Sequence, residues 1–204
     1  MHNAVFQRTP LLAGDDCEQK RTEILRYFQA TFDHYEQLFE VLTCDEAYVK
    51  KPISLRHPLI FYLGHTATFF INKLLLAGLI ERRINPAFES MFAIGVDEMS
   101  WDDLNDARYD WPSVAAVKDY RQQVRATVSR LIETLPLQLP IGWDHPWWII
   151  VMGVEHERIH LETSSVLIRQ HELRYVQPHP AWTPCQTAGF APTRRKERVV
   201  ICSI

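Results

Sequence analysis

Apolar residues recur at intervals of three and four along most of this 204-residue chain, and this period restricts the fold more than any other feature. Such spacing places the apolar side chains on one face of an α-helix. The stripe between positions 18 and 43 consists of Ile24, Phe28, Phe32, Tyr35, Phe39 and Leu42. We find no convincing alternation of period two, which would indicate a strand, so the pattern predicts an all-α fold.

The ends of the helices are predicted from capping residues and early prolines. Asp16 precedes the first helix and is placed to cap its first turn, three residues before Gln19. We expect Asp110 to cap the third helix, with Pro112 in its first turn, and Asp144 to cap the fourth, with Pro146 in its first turn. The four predicted helices cover roughly residues 18–43, 57–80, 112–135 and 146–173.

The second and third helices are joined by a long connection, from Glu81 to Tyr109, that contains the acidic stretch GVDEMSWDDLN. Within it, Ser100 and Asp103 have the spacing of a helix-capping pair. Four long helices with one long crossover predict a four-helix bundle. Prolines interrupt the helical pattern beyond residue 176, so we predict a bundle over 1–176 and an irregular linker or tail over 177–204, leading to a second domain that this chain lacks.

Charge, hydropathy and cysteine content restrict the partners and the compartment that we expect for this chain. A net charge of −3 and a pI near 6.3 give no reason to expect binding to nucleic acid or to an anionic membrane. The apolar segment from Pro58 to Ile80 contains His65, Asn72 and Lys73, which favours a buried core helix over a membrane span. Four cysteines without a CxxC pair, in a chain without a secretory signal peptide, predict reduced thiols and a cytoplasmic protein.

The sequence EHERIHLE, residues 155–162, is the strongest chemical signal. His156 and His160 are four residues apart, so both imidazoles project from the same face of a helix and can bind one metal ion. Glu157 lies between them in sequence and is expected to act as a hydrogen-bond acceptor behind the histidines or as a base. The alternative is that both histidines are ordinary core or surface residues without a metal. The flanking carboxylates favour the metal site over this alternative.

A third ligand is needed for a tight site, and His65 is the candidate. It lies in the apolar sequence FYLGHTATFF, where a buried imidazole requires a hydrogen-bond partner or a metal. Gly64 beside it would let another helix or a ligand approach closely. Spacing alone leaves the identity of the metal open.

The HExxH pattern is also the zincin protease signature, in which Glu157 would activate a zinc-bound water. The metzincin continuation is absent, because Thr163 and Val166 occupy the positions of its glycine and third histidine. An all-helical chain also lacks the edge strand that binds peptide substrates. A protease is therefore the less favoured interpretation.

Three segments extend the comparison beyond a short motif. They are LRHPLIFYLGHTATFFINKL at 55–74, FAIGVDEMSWDDLN at 92–105 and MGVEHERIHLETSSVLIRQ at 152–170. Together they resemble the N-terminal DinB-like domain of the ovothiol-pathway 5-histidylcysteine sulfoxide synthases, relatives of the ergothioneine-pathway sulfoxide synthases. The resemblance extends over about residues 10–185 and implies a DinB-like four-helix bundle.

The resemblance also implies the cofactor and the substrates. In that family three histidines of the bundle bind a non-haem iron(II), and by motif they correspond to His65, His156 and His160. The implied reaction joins the sulfur of cysteine to the imidazole of histidine with O2 as the oxidant. Family members continue into a domain of the formylglycine-generating-enzyme type, so we expect the isolated chain to require such a domain or chain as a partner. Catalytic residues are not assigned.

Two alternatives of other classes remain. The chain could be a metal-binding bundle that serves as a scaffold without a complete active site. It could also be a stand-alone DinB-like enzyme, such as a metal-dependent thiol transferase, without sulfoxide synthase activity.

Overall fold

The computed structural model describes residues 8–93 and 109–182, and the regular structure within them is helical, as the apolar period predicts. The elements are α1 (Cys17–Phe39), α2 (Asp45–Val49), α3 (Leu59–Leu76), α4 (Pro86–Met91), α5 (Val114–Thr134) and α6 (Pro146–Ile168), followed by a 3-10 turn (Leu173–Tyr175). The four long helices correspond to the four that the sequence predicts.

The long helices form a bundle in which α1 and α3 each pack against both α5 and α6. The order around the bundle is therefore α1, α6, α3, α5, and the chain crosses the bundle diagonally between α1 and α3 and again between α5 and α6. This arrangement makes α3 and α6 neighbours, and these are the two helices that carry the predicted metal ligands.

Burial of the apolar stripes supplies the core. Ile24, Phe28, Phe32 and Tyr35 of α1 are at most 1% exposed, which confirms the interpretation of their spacing. Helix α3 is apolar on most faces and is long enough to cross a membrane by length and composition alone. However, 72% of that segment is buried inside the protein, which is the environment of a core helix.

Two of the three predicted caps are wrong by one or a few residues. The carboxylate of Asp16 accepts a hydrogen bond from the amide of Gln19 at 2.9 Å, as predicted. The cap of α5 is Ser113, whose hydroxyl accepts from Ala116, and not Asp110. The cap of α6 is His145, whose imidazole Nδ1 accepts from the amide of Trp147, and not Asp144. Both errors arise because several capping side chains and a proline lie close together in sequence, and only the backbone conformation selects among them.

Helices α1 and α6 end earlier than predicted because the segments that follow them pair with each other. Leu42 and Val176 form an isolated antiparallel bridge, and the amide of Thr43 donates to the carbonyl of Tyr175 at 3.1 Å. These backbone groups are therefore unavailable for further helical turns. The pairing closes one end of the bundle.

The long crossover contains the short helix α4, which the sequence pattern did not reveal. Glu89 of α4 is 1% exposed, and its carboxylate accepts hydrogen bonds from the amides of Ile84 and Asn85 at 2.9 and 3.0 Å. The predicted capping pair of Ser100 and Asp103 lies outside the described residues.

The start of the predicted tail, residues 177–182, contacts α1 and the segment that follows it. The amide of Gln177 donates to the carbonyl of Val41, and the indole of Trp182 donates to the carbonyl of Gln37 at 3.2 Å. The described part of the predicted linker thus lies against the bundle.

Candidate metal centre

Three histidines from two neighbouring helices meet inside the bundle. The candidate ligand atoms of His65, on α3, and of His156 and His160, on α6, all lie within 4.8 Å of one another. The ring centroids are 4.5–5.0 Å apart, and each pair of rings is strongly tilted. The structure therefore brings together the three residues that the sequence singled out. Among the described residues, this is the cluster of histidine, cysteine and carboxylate side chains with metal-binding geometry.

The polypeptide after α4 holds the ring of His65. Its Nδ1 is 2.7 Å from the backbone carbonyl of Phe92, so an Nδ1–H donor leaves Nε2 as the ligand atom. The ring of Phe92 packs directly on Gly64, where an added Cβ would lie 2.6 Å from ring atoms. The glycine thus permits a close approach, as predicted, and the approaching group is an aromatic side chain that also brings the carbonyl to His65.

Access to the cluster is from the side of His156. This residue is half-buried, whereas His65 and His160 are 7% and 5% exposed. The ring of Phe69 stacks on His156 with 3.7 Å between centroids and 10° between planes. The ring of Phe61 stacks on His65 on the buried side at 5.2 Å. Aromatic contacts therefore fix the orientation of two of the three imidazoles.

The environment favours neutral imidazoles, which are the form that binds metals. Burial is the main cause that lowers the pKa of His156 to about 2, and the neighbouring His160, His65 and Lys73 lower it further. Burial, followed by His65, lowers the pKa of His160 to about 4. Both rings are consequently unprotonated at neutral pH.

The histidines also fit a metal by their hydrogen bonding. Within the described ranges 8–93 and 109–182, the buried Nδ1 atoms of His156 and His160 make no hydrogen bond. Leaving a buried polar atom unsatisfied costs about 1–3 kcal/mol, and coordination of these rings would compensate such a cost.

Glu157 is buried, and its carboxylate is a hydrogen-bond acceptor for an arginine of α5. It is 1% exposed, and its Oε1 accepts a hydrogen bond from Nη2 of Arg121 at 2.6 Å. Burial raises the pKa of this carboxyl, and Arg121 opposes the rise. Because the carboxylate is bound to a guanidinium in the core, it is not placed as the water-activating base of a zincin.

Arg121 connects all four long helices. From α5 it donates to Glu36 on α1, to the carbonyl of Leu63 and the hydroxyl of Thr66 on α3, and to the carboxylate on α6 described above. Its guanidinium also lies 4.1 Å from the centroid of Phe32. In sequence, Leu63 and Thr66 lie within two residues of His65, and Glu157 directly follows His156. Arg121 therefore fixes the backbone beside the candidate ligands on both helices.

The sequence analysis did not identify Arg121, although a signal was present. The residue lies four positions after Val117 and three before Val124, on the apolar face of α5. A charged residue on such a face must have buried partners, but the partners are on other helices and cannot be found from one helix alone.

The remaining histidines of the described segments do not join the cluster. His57 stacks on Phe61 at 4.3 Å, and His171 contacts the carbonyl of Ala47 at 2.8 Å. His179 is 2.9 Å from a carboxylate oxygen of Glu40.

Comparison with known proteins agrees with this fold. The family model of the DinB superfamily matches residues 27–164, a range that includes all three clustered histidines. The chain belongs to the DinB superfamily. Membership accounts for the helical bundle.

This DinB-superfamily chain is also similar to a protein of known pathway. It is 29% identical over 162 residues to Ergothioneine biosynthesis protein 1 of Neurospora crassa. The similarity covers 73% of this chain and 18% of the Neurospora protein, so the chain spans about a fifth of that relative's length.

Proposed function

We propose that this chain is the iron-binding domain of a non-haem iron(II)-dependent sulfoxide synthase of the ovothiol type. The observation that carries the proposal is the convergence of His65, His156 and His160 within 4.8 Å of one another. The similarity to an ergothioneine biosynthesis protein and the three sequence segments described above support the reaction class. We further propose a cytoplasmic protein, with partners that do not include nucleic acid or a membrane.

The proposed reaction joins cysteine and histidine and consumes O2. The S–H bond of cysteine and the C5–H bond of the imidazole of free histidine break, and S–C and S–O bonds form. One oxygen atom enters the sulfoxide and the other leaves as water with both hydrogens, so atoms and electrons balance. Iron(II), when bound, would supply the site for thiolate and dioxygen and the redox change.

The residues of this chain would hold the metal and control access to it. Three neutral imidazoles leave the charge of the ion uncompensated, which favours an anionic thiolate ligand. Phe92 keeps His65 in one orientation through its carbonyl, and Phe69 does the same for His156 by stacking. The entry beside His156 leaves one side of the cluster open for substrates and for a second domain, which we propose is of the formylglycine-generating-enzyme type.

Metal binding is the first test. Protein loaded with iron(II) under anaerobic conditions and desalted should retain one equivalent of iron. His65→Ala, His156→Ala and His160→Ala should each lose tight binding, whereas His179→Ala, a matched control at the edge of the bundle, should retain it. Retention of iron by all three cluster variants would exclude the site.

A DinB-like metal enzyme without sulfoxide synthase activity is the second candidate, such as a thiol transferase. It is favoured by the family model that matches residues 27–164, which is that of the DinB superfamily. The two candidates are separated by incubating the iron-loaded chain with cysteine, histidine and O2, with and without a supplied second domain. Formation of the sulfoxide with the second domain supports the synthase, and its absence in both reactions contradicts it.

A further inference from the structure

A lysine stands beside the open side of the histidine cluster. Lys73 belongs to the last turn of α3, is half-buried, and places its Nζ 5.4 Å from the centroid of the Phe69 ring. That ring is in turn stacked on His156 at 3.7 Å. The ammonium group is therefore separated from a candidate metal ligand by one aromatic ring.

The geometry of α3 explains why Lys73 reaches this position. His65, Phe69 and Lys73 follow one another at intervals of four residues and so lie along one side of the helix. Side chains of a helix point towards its N-terminus, which directs the lysine back along α3 towards Phe69 and the cluster. The contact between Nζ and the ring is of the cation–π type.

No carboxylate of residues 8–93 or 109–182 forms an ion pair with Lys73. The two acidic residues beside His156 in sequence each accept a hydrogen bond from another residue. Glu155 accepts a hydrogen bond from the hydroxyl of Tyr27 at 2.5 Å, and Glu157 is bound to Arg121 at 2.6 Å. The accessible side of the cluster thus combines three imidazoles with one ammonium group that pairs with no carboxylate of the described ranges.

We propose that Lys73 binds the carboxylate of a small-molecule substrate whose other end reaches the metal. This inference rests on the proposed metal site and deepens it by assigning a specificity-determining residue. A metal ion and a nearby ammonium group favour a ligand with two anionic groups, such as a thiolate and a carboxylate. Cysteine and histidine both carry the carboxylate, and each has an analogue without it.

Binding of four compounds to the cobalt(II)-loaded protein tests the assignment. The compounds are cysteine and cysteamine, and histidine and histamine, and their affinities are measured by anaerobic calorimetry. In Lys73→Met, at least one of the two carboxylate-bearing compounds should bind about tenfold more weakly, as expected for loss of a charge-assisted hydrogen bond, while its decarboxylated analogue is unaffected. The pair that responds identifies which substrate Lys73 contacts.

Two further variants separate this role from a structural one. Lys73→Arg keeps the positive charge and should retain most of the discrimination between the responding pair. Lys118→Met removes a lysine that also contacts an aromatic ring, Tyr48 at 5.7 Å, but lies outside the cluster, and it should change none of the four affinities.

The outcomes distinguish this proposal from the metal site itself. Equal weakening of both members of a pair in Lys73→Met, no weakening at all, or failure of the cobalt-loaded wild type to bind any of the four compounds would overturn the role of Lys73. Failure of the wild type to take up cobalt before any compound is added would instead overturn the metal site.

Discussion

Arg121 and Glu157 form an ion pair inside the bundle, with 2.6 Å between Nη2 and Oε1, and both side chains are at most 1% exposed. Glu157 follows His156 in sequence, so the pair lies directly behind the candidate ligands of α6. The HExxH pattern is thereby given a structural role: its glutamate connects the helix that carries His156 and His160 to α5.

Removal of one partner should be costly. We expect Arg121→Met to lower the free energy of unfolding by about 3–5 kcal/mol, because Glu157 would remain buried without a counter-charge. Urea unfolding followed by circular dichroism measures the change. Arg125→Met is the matched control on the same helix. The side chains of Arg125 and its ion-pair partner Asp33 are 25% and 51% exposed, so loss of this pair should lower the free energy of unfolding by at most about 1 kcal/mol.

A double variant tests the reason for that cost. In Arg121→Met/Glu157→Leu no buried charge is left from the pair, so much of the stability lost in Arg121→Met should return. If the double variant is less stable than Arg121→Met alone, an unpaired charge on Glu157 does not account for the cost.

The sequence predicted the helices and the ligands better than the contacts between helices. The stripe of Ile24, Phe28 and Phe32 predicts α1 because the spacing of apolar residues is a property of this helix alone and does not depend on the other helices. Likewise, the spacing of His156 and His160 requires only that α6 is helical. The position of His65 opposite them depends on how α3 packs on α6, and it was assigned from its apolar context and from the family resemblance.

Features that depend on packing were not predictable from one sequence. The short helices α2 and α4 have five and six residues, too few for an apolar period to be recognised. The partners of Arg121 lie on three other helices, and their register is set by the whole core. Similarly, the stacking of Phe69 on His156, which places Lys73 beside the cluster, follows from the contact between α3 and α6.

Gly64 should influence the metal site through Phe92. In Gly64→Ala the added Cβ would lie 2.6 Å from the Phe92 ring, so the ring and its carbonyl must move away from His65. We expect a loss of stability of about 1–3 kcal/mol from overpacking, together with weaker cobalt binding. Unfolding and cobalt titration are measured on the same sample.

Gly78→Ala provides the control for this prediction. Gly78 has φ of +69° and nothing within 4 Å of an added Cβ, so the substitution strains the backbone by about 1–2 kcal/mol without steric contact. It should lower stability and leave cobalt affinity unchanged. Equal effects of both alanines on cobalt affinity would contradict the proposed action through Phe92.

The stability of the metal-free protein should fall in mild acid. Burial, followed by nearby positive groups, lowers the pKa of His156 to about 2, and burial followed by His65 lowers that of His160 to about 4. In the unfolded chain both titrate near pH 6.5, roughly the ordinary value for histidine. Below that pH the unfolded state binds more protons, so the free energy of unfolding decreases as the pH falls from about 6.5 towards about 4.

Urea unfolding at several pH values measures this dependence. The variant His156→Leu/His160→Leu lacks both groups and should show a smaller decrease between about pH 6.5 and 5 than the wild type. An identical decrease in the variant would show that other groups cause the acid sensitivity.

Metal binding and folding should be coupled through the same three histidines. A ligand that binds only the folded state stabilises it according to its concentration, by about 2.7 kcal/mol at a free concentration one hundred times the dissociation constant. We therefore expect cobalt(II) at one hundred times its dissociation constant to raise the free energy of unfolding of the wild type by about 2.7 kcal/mol. His160→Ala keeps His65 and His156 but lacks the third imidazole, so cobalt(II) at the same concentration should stabilise it much less. His179→Ala should be stabilised as much as the wild type. Equal stabilisation of all three proteins would mean that cobalt acts at another place, and the metal centre would have to be sought outside the α3–α6 contact.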